Sequence, residues 1–246
     1  MKSHQKLTER LKQAMMNEYH SVHPEKNPVA LAISELSADQ LQYVLSQYTI
    51  FPRNIVSFLT SVRDISRNAG FSEVANELTR NIGEELGTET NGVSHYDMLI
   101  RGLAEGVYPA DPTLETYLRT LKPSEATRAF IDRTRKITED QRAAYAIGGA
   151  YALESSAVPE LVIVQNLVNE LFTRVTGQPM QGGLLKEFFR RHLETWEPGH
   201  EQGLRETTAK YITSTEDHKL LEVGFRDIII TMDTWWTGLY KETRNL

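Results

Sequence analysis

Several histidine and glutamate side chains of this 246-residue chain are predicted to point into a helical core. Residues three, four or seven positions apart share one face of an α-helix. By this criterion, the ionisable residues on apolar faces are Glu85, His95, Glu154, His192 and His200. Glu84, in contrast, groups with Arg80 and Asn81 and is predicted to be exposed. A buried charge without a partner is costly, and a metal ion is one partner that would satisfy the whole set.

Each of these residues alone has a simpler interpretation. A single inward histidine is more often a hydrogen-bonded core residue, and a single inward glutamate is commonly half of a buried salt bridge. Their combination on four helical segments favours a metal site. The chain has no cysteine, so the ligands would be nitrogen and oxygen atoms, which suit iron, manganese or zinc. The remaining histidines are predicted to lie at the surface or in loops, without a metal or catalytic role: His4, His20, His23 and His218.

The segment FFRRHLETWEPGHEQGL contains two of these histidines and a Pro-Gly pair. On a regular helix at about 100° per residue, His192 and Glu197 would differ by about 140°, and His192 and His200 by about 80°. A π-bulge of one residue would bring all three close to one face. Pro198 supplies a cause, because proline has no N–H to donate to the carbonyl four residues earlier. We therefore predict a bulge near Glu197 and Pro198. Glu197 and His200 then form a Glu-x-x-His pair, which suits a di-metal carboxylate site.

Nearly every segment has helical periodicity and no strand alternation persists, which predicts an all-α fold. Ser37 is expected to cap a long helix that reaches about residue 70 and is kinked or broken by Pro52. The other main helices are expected at about 2–19, 71–86, 95–106, 114–121, 125–137, 139–175, 188–212 and 215–246, with a connector at 107–113 and a short helix that begins at Pro28. The breaks are short, which is typical of a single domain spanning residues 1–246.

Composition narrows the expected partners. The net charge is −6 and no basic patch stands out, so neither nucleic acid nor an anionic membrane surface is expected to bind. The sequence contains no long uncharged apolar run, so we predict no transmembrane helix. The N-terminal residues lack the apolar core of a signal peptide, and we expect a cytoplasmic protein.

The order of these residues resembles a known family. Glu85, His95, Glu154 within YALESSA, and His192 within FFRRH followed by an acidic residue and a second histidine, resemble the haem-oxygenase-like di-iron oxidases. That group is similar in fold to haem oxygenase, the TenA thiaminases and PqqC, and it includes the chlamydial CADD proteins. The resemblance covers roughly residues 41–204. It implies a helical bundle of about seven main helices with two iron ions at its centre.

The resemblance also implies a ligand set. Glu85, His95 and Glu154 would hold much of one iron, and His192, Glu197 and His200 would complete the pair. The family usually has an acidic residue four positions, and a histidine seven positions, after the first histidine. Here the spacing is one residue longer, and Glu194 remains the alternative to Glu197. Asp64 is a candidate for a further carboxylate that some members carry.

The implied function is O2 activation by two irons per chain, with oxidation of a small organic substrate. An amino acid is the expected substrate, and the expected outcome is C–C cleavage, N-oxygenation or nitrile formation. Candidates for contact with the substrate are Tyr48, Phe51, Tyr151 and Trp196. We also expect a homodimer.

Other functions are also compatible with the sequence. One is a metal-free or haem-binding member of the same fold, for which His20 would be the proximal haem ligand. TenA-type hydrolysis needs a cysteine nucleophile, which this chain lacks. A fatty-acid decarboxylase and a non-enzymatic helical interaction protein are the remaining alternatives, and the second leaves the inward histidines and glutamates unexplained.

Overall fold

The computed structural model describes residues 2–107 and 113–246. Within these ranges the chain forms helices without a strand, so the predicted all-α class is confirmed. The connector predicted at 107–113 lies largely outside the described residues. The helices are α1 (Lys2–Glu18), α2 (Pro28–Leu31), α3 (Ala38–Tyr48), α4 (Ile50–Asn68), α5 (Ser72–Glu85), α6 (His95–Val107), α7 (Leu114–Thr120), α8 (Glu125–Thr138), α9 (Ala143–Thr176), α10 (Gly183–Arg191), α11 (Glu197–Thr208) and α12 (Thr215–Thr243).

The predicted start and break of the α3–α4 segment are both present. The Ser37 side chain accepts a hydrogen bond from the Gln40 N–H, and the Gln40 side chain accepts one from the Ser37 N–H, which forms a capping box. The helix breaks at Thr49, three residues before Pro52. Pro52 thus lies in the first turn of α4, where a missing N–H costs little. Helix α4 then packs against α5, α8 and α9.

Helix α9 forms the centre of the bundle and packs against α12, α11, α3, α4 and α8. It is long and apolar enough to cross a membrane, yet 78% of its most apolar 18-residue window is buried by the other helices, as in a core helix.

Two glycines allow the backbones of α9 and α12 to touch. A Cβ atom at Gly148 would lie 2.1 Å from the Leu221 carbonyl oxygen, and one at Gly224 would lie 2.0 Å from that of Tyr145.

Helices α10 and α11 are joined by a π-helical turn over His192–Trp196, which we call the π-turn. The Glu197 N–H donates to the His192 carbonyl, five residues earlier. The predicted bulge is therefore confirmed, although it lies directly before Glu197 and Pro198 instead of at them. Pro198 occupies the second position of α11, so the regular helix resumes where no backbone donor is required.

Candidate metal centre

Five elements bring the sequence-predicted ligands to one place in the middle of the bundle. Glu85 is the last residue of α5, and His95 is the first residue of α6. Glu154 lies in the middle of α9. His192 is the first residue of the π-turn, and Glu197, directly after the π-turn, is the first residue of α11. His200 lies one turn later on α11. All six side chains are buried: Glu85, His95, Glu154, His192, Glu197 and His200.

The first cluster consists of Glu85, His95 and His192, whose ligand atoms lie within 4.8 Å of one another. The His95 Nδ1 atom is 3.1 Å from Glu85 Oε1. The Nδ1 atom of His192 lies 2.7 Å from the Phe188 carbonyl oxygen. That carbonyl accepts a hydrogen bond from Nδ1–H, so the lone pair of the His192 Nε2 atom faces the cluster, which is the usual arrangement of a metal-binding imidazole.

The second cluster consists of Glu85, Glu197 and His200, again with ligand atoms within 4.8 Å. The His200 Nδ1 atom lies 3.2 Å from Glu154 Oε2 and 3.6 Å from Glu197 Oε2. Glu85 belongs to both clusters, as a carboxylate that bridges two ions would. This grouping differs from the one that the resemblance implied, because His192 lies with His95 and Glu154 lies with His200.

The residues fit a pair of metal ions. Both ring nitrogens of His95 and the Nδ1 atom of His200 are buried and make no well-directed hydrogen bond, even where a carboxylate oxygen lies 3.1 or 3.2 Å away. Buried polar atoms are rarely left so. Two atoms bound to one ion at about 2.0–2.2 Å lie roughly 3–3.6 Å apart. The separations of 3.1, 3.2 and 3.6 Å fall in this range. A cation would therefore satisfy atoms that the protein leaves unsatisfied.

Burial and mutual proximity set the protonation of the centre. Burial, with a contribution from His95, lowers the pKa of His192 to about 3, so this imidazole is neutral and its nitrogen is free to bind a metal. Burial raises the pKa of Glu197 to about 7. Burial also opposes the charged form of His200, but the carboxylates of Glu154, Glu197 and Glu84 outweigh it and raise the pKa of His200 well above its usual value.

Glu84 was missed by sequence reasoning, and the prediction that it is exposed is wrong. Its side chain is 7% exposed, and its Oε2 atom lies 2.8 Å from the Nε2 atom of His200. The other carboxylate oxygen pairs with Arg80, as its helix face indicated. Helix α11 packs over this part of α5, and nothing in the local pattern revealed that contact. Glu84 holds Nε2, so Nδ1 is the His200 atom that faces the second cluster.

The structure also shows which of the other candidate carboxylates lie at the centre. Glu194 is 64% exposed on its side chain and interacts with Arg190 at the surface, whereas Glu197 is buried in the second cluster. Asp64 is also exposed, at 52% of its side chain, and binds Arg63. Asp64 therefore does not reach the centre.

A cavity of about 60 Å³ adjoins the two clusters. Tyr48 and Phe51, both predicted to contact the substrate, line it. Tyr151 and Trp196 do not belong to its lining, so those two predictions are not supported. The Tyr151 hydroxyl donates to Glu201 at 2.6 Å, and the Trp196 ring stacks on His95 with centroids 3.9 Å apart. Tyr151 and Trp196 thus hold the surrounding helices and a ligand in place.

Glu160, on α9, is a second residue that sequence reasoning missed. It is completely buried and lines the cavity, and its Oε1 atom accepts a hydrogen bond of 2.8 Å from the Trp236 indole N–H. Burial raises the pKa of Glu160 to about 8. The available signal was its helix face, which carries Ala157, Ile163 and Val164.

Of the four histidines predicted to lie at the surface or in loops, His20 and His23 lie in the loop between α1 and α2, whereas His4 and His218 lie on helices and are more enclosed than expected. His4 is 1% exposed because α1 packs it onto the last turn of α11, where its Nε2 atom meets the Thr208 hydroxyl at 3.0 Å. His218 lies half-buried beside it, with ring centroids 6.0 Å apart. His20 and His23 are half-buried. The short amphipathic pattern of α1 did not reveal which face α11 covers.

Structural neighbours define the class of the fold. A domain of unknown function with a heme oxygenase-like fold from Shewanella denitrificans OS217 superimposes with a TM-score of 0.65 at 13% identity, covering 99% of this chain and 92% of that one. A TenA homolog from Pseudomonas syringae pv. tomato DC3000 gives a TM-score of 0.62 at 12% identity, covering 98% and 92%. The fold is therefore haem-oxygenase-like, as the resemblance implied.

More specifically, the chain belongs to the family DUF3865, a domain of unknown function with solved structure, whose model matches residues 5–242. A CADD-like protein of unknown function from Nostoc punctiforme PCC 73102 is similar throughout, with 34% identity, a TM-score of 0.89 and 99% coverage of both chains. The resemblance to CADD-like proteins is thus confirmed. No protein with curated function matches the chain.

Proposed function

We propose that this protein is a non-haem di-iron oxidase or oxygenase that uses O2 to oxidise a small organic substrate. An amino acid is the proposed substrate, by C–C cleavage, N-oxygenation or nitrile formation. The observation that carries the proposal is the pair of buried clusters that share Glu85. The resemblance of the ligand motifs to the haem-oxygenase-like di-iron oxidases supports the same class.

The protein residues have distinct parts in this proposal. His95 and His192 would hold one ion, His200, Glu197 and Glu154 the other, and Glu85 both. When bound, the two ions would supply electrons and Lewis acidity for O2 activation. The apolar wall of the cavity excludes water from the reacting atoms, which strengthens electrostatic interactions there. The hydrogen bond from His192 to the Phe188 carbonyl fixes the ring orientation before a metal arrives.

A haem-binding function is less well supported. His20, the candidate proximal ligand, has both ring nitrogens engaged by α12. Its Nδ1 atom lies 3.1 Å from the Asp233 carboxylate, and its Nε2 atom lies 2.9 Å from the Asp233 carbonyl and 3.0 Å from the Thr237 hydroxyl. Haem ligation would require these contacts to break. The homodimer, the cytoplasmic location, and the exclusion of nucleic-acid and membrane partners stay predictions.

The proposal is tested by loading the protein with ferrous iron without oxygen, then measuring metal content and optical spectra after O2 is added. We expect about two irons per chain and a transient absorption band. Less than about half an iron per chain, with no spectral change, would contradict the proposal.

Variants locate the site. Glu154→Ala and His192→Ala are expected to lose most of the iron, because each removes a buried ligand. His218→Ala is the matched control, since its ring lies away from both clusters, and it should retain the metal. Equal iron content in all three variants would refute the assignment of the site.

A further inference from the structure

Glu160 carries a carboxylate oxygen that nothing in the described structure satisfies. Oε1 is held by the Trp236 N–H, but Oε2 is buried without a hydrogen-bond partner. A buried carboxyl group with one unused oxygen is destabilising, and such groups call for an explanation in each case. Because Glu160 lines the cavity beside the two clusters, the missing partner of Oε2 can come from a molecule bound there.

The rest of the cavity wall indicates what that molecule is. Apart from the proposed metal ligands, Tyr48 and Glu160 carry the ionisable or hydroxyl groups among the described lining residues, and that lining includes no lysine or arginine. Most of the remaining wall is hydrocarbon or aromatic: Phe51, Pro52, Ile55, Leu161 and Phe188. The wall therefore offers oxygen atoms to a hydrogen-bond donor and apolar surface to a carbon chain. It offers no cationic side chain to an anionic group.

We propose that Glu160 binds the amino group of the substrate, with the Tyr48 hydroxyl as a second acceptor. This inference rests on the proposed function, because it takes the cavity as the substrate chamber. An ammonium group provides the donor that the ionised form of Oε2 lacks, and the Trp236 hydrogen bond orients the carboxyl group. Burial raises the pKa of Glu160 to about 8, so the carboxyl carries a proton in the empty cavity at neutral pH, and an ammonium cation beside it favours the charged form and the release of that proton. A substrate carboxylate at the same place would find no cationic side chain in the described lining.

The size of the cavity limits the substrate. A water-sized group requires about 10–15 Å³ of such volume, so a cavity of about 60 Å³ holds roughly four to six non-hydrogen atoms. The partly exposed lining residues are Pro52, Ile55 and Ala157, which places the opening between α4 and α9. The predicted ligand is thus a small molecule with a primary amino group, a description that includes a small amino acid, and the rest of the molecule extends from Glu160 toward this opening.

The test compares n-butylamine with 1-butanol, which has the same number of non-hydrogen atoms and no ammonium group. Binding is measured by ligand-observed NMR at about pH 9, which lies above the Glu160 pKa of about 8 and below about 10.4, the ordinary pKa of a lysine-like ammonium group. It is measured on protein loaded with ferrous iron without oxygen and on metal-free protein. We expect the amine to bind about 10-fold more tightly than the alcohol or better, as a hydrogen bond to a charged group provides. In Glu160→Gln that preference should fall to about 3-fold or less, because the amide is uncharged.

Two controls make the outcome specific. Glu160→Gln keeps the side-chain shape and an oxygen for the Trp236 N–H, so the variant is expected to fold. Glu201→Gln removes a different buried carboxylate, which lies on α11 and outside the cavity lining. This variant should retain the full preference for the amine. Equal binding of amine and alcohol to the wild type, no binding of either, or an unchanged preference in Glu160→Gln would each overturn the inference.

Failure of this inference is separable from failure of the proposed function. Amine preference is scored in both metal states and needs no turnover. Iron content and the optical response to O2 are measured without amine. A protein that binds two irons but ignores the amine would retain the proposed function and lose the role of Glu160.

Discussion

The protonation of Glu160 makes a quantitative prediction about the stability of the metal-free protein. The folded state holds this carboxyl at a pKa of about 8, against an ordinary value of 4.5, because burial disfavours the charged form. Glu160→Gln replaces it with a neutral group of the same shape. The variant should therefore differ from the wild type chiefly where the unfolded chain ionises Glu160 and the folded chain does not.

The sign and size of the effect are set by proton linkage. Below about pH 4.5 both states carry the proton, and above it the folded state binds more protons than the unfolded state. Stability is therefore lost as pH rises, at about 1.4 kcal/mol per pH unit, until about pH 8. Between about pH 5.5 and pH 7.5 the wild type should lose about 2–3 kcal/mol that Glu160→Gln does not lose.

The assay is urea unfolding of both proteins with chelator at these two pH values. Glu197 titrates in the same range, but it is present in both proteins and largely cancels in the comparison. Glu187→Gln is the control. Its hydrogen bonds to Arg190 and Arg191 lower the pKa of Glu187 to about 2, so this carboxylate stays ionised above pH 5.5 in the folded and the unfolded state. Its removal should therefore change the free energy of unfolding by the same amount at both pH values. Parallel pH profiles for wild type and Glu160→Gln would refute the assignment of a buried, protonated Glu160.

Two further predictions concern the support of the centre. Glu84→Ala should weaken iron binding about 10- to 100-fold in an equilibrium titration, because it frees the Nε2 atom of His200 and lets the ring rotate. Glu84→Gln, which can still accept that hydrogen bond, should retain most of the affinity, and wild-type affinity in both variants would contradict the role. Gly148→Ala should lower the free energy of unfolding in urea by about 1–3 kcal/mol or more, since the new methyl group would collide with the Leu221 carbonyl. Gly199→Ala, where no atom of the described part of the chain lies within 4 Å of the new methyl group, should leave stability unchanged or raise it by up to about 1 kcal/mol. Equal effects of the two alanines would contradict the close packing of α9 and α12.

Much of the centre could be predicted because its residues repeat at helical spacing. Glu85 and Glu154 stand among apolar residues of their own helices, and that local pattern is enough to place them inward. The π-turn was predictable for a different reason. His192 and Glu197 can share one helix face only if the helix between them contains one extra residue in a widened turn. Pro198 marked its approximate place.

The residues that were missed depend on contacts between helices. Glu84 has the local pattern of a surface residue and is buried only because α11 lies across α5. Tyr151 points inward as expected, but its hydroxyl is taken by Glu201 on α11 and not by the cavity. His4 is covered by α11 and α12 from the far end of the chain. Periodicity within one segment carries no information about which helix lies opposite.

The π-turn over His192–Trp196 also bears on how this chain relates to shorter versions of the same motif. A π-turn is the form that a helix takes when it gains one residue without rotation of its C-terminal part. In geometric terms, residues 193–196 hold one residue more than a regular α-helix with the same rotation would. Removal of one residue there would narrow the turn to a regular α-helix and give the four-and-seven spacing that the resemblance leads one to expect. The two spacings are then alternative lengths of one ligand helix, interconvertible by a single-codon insertion or deletion.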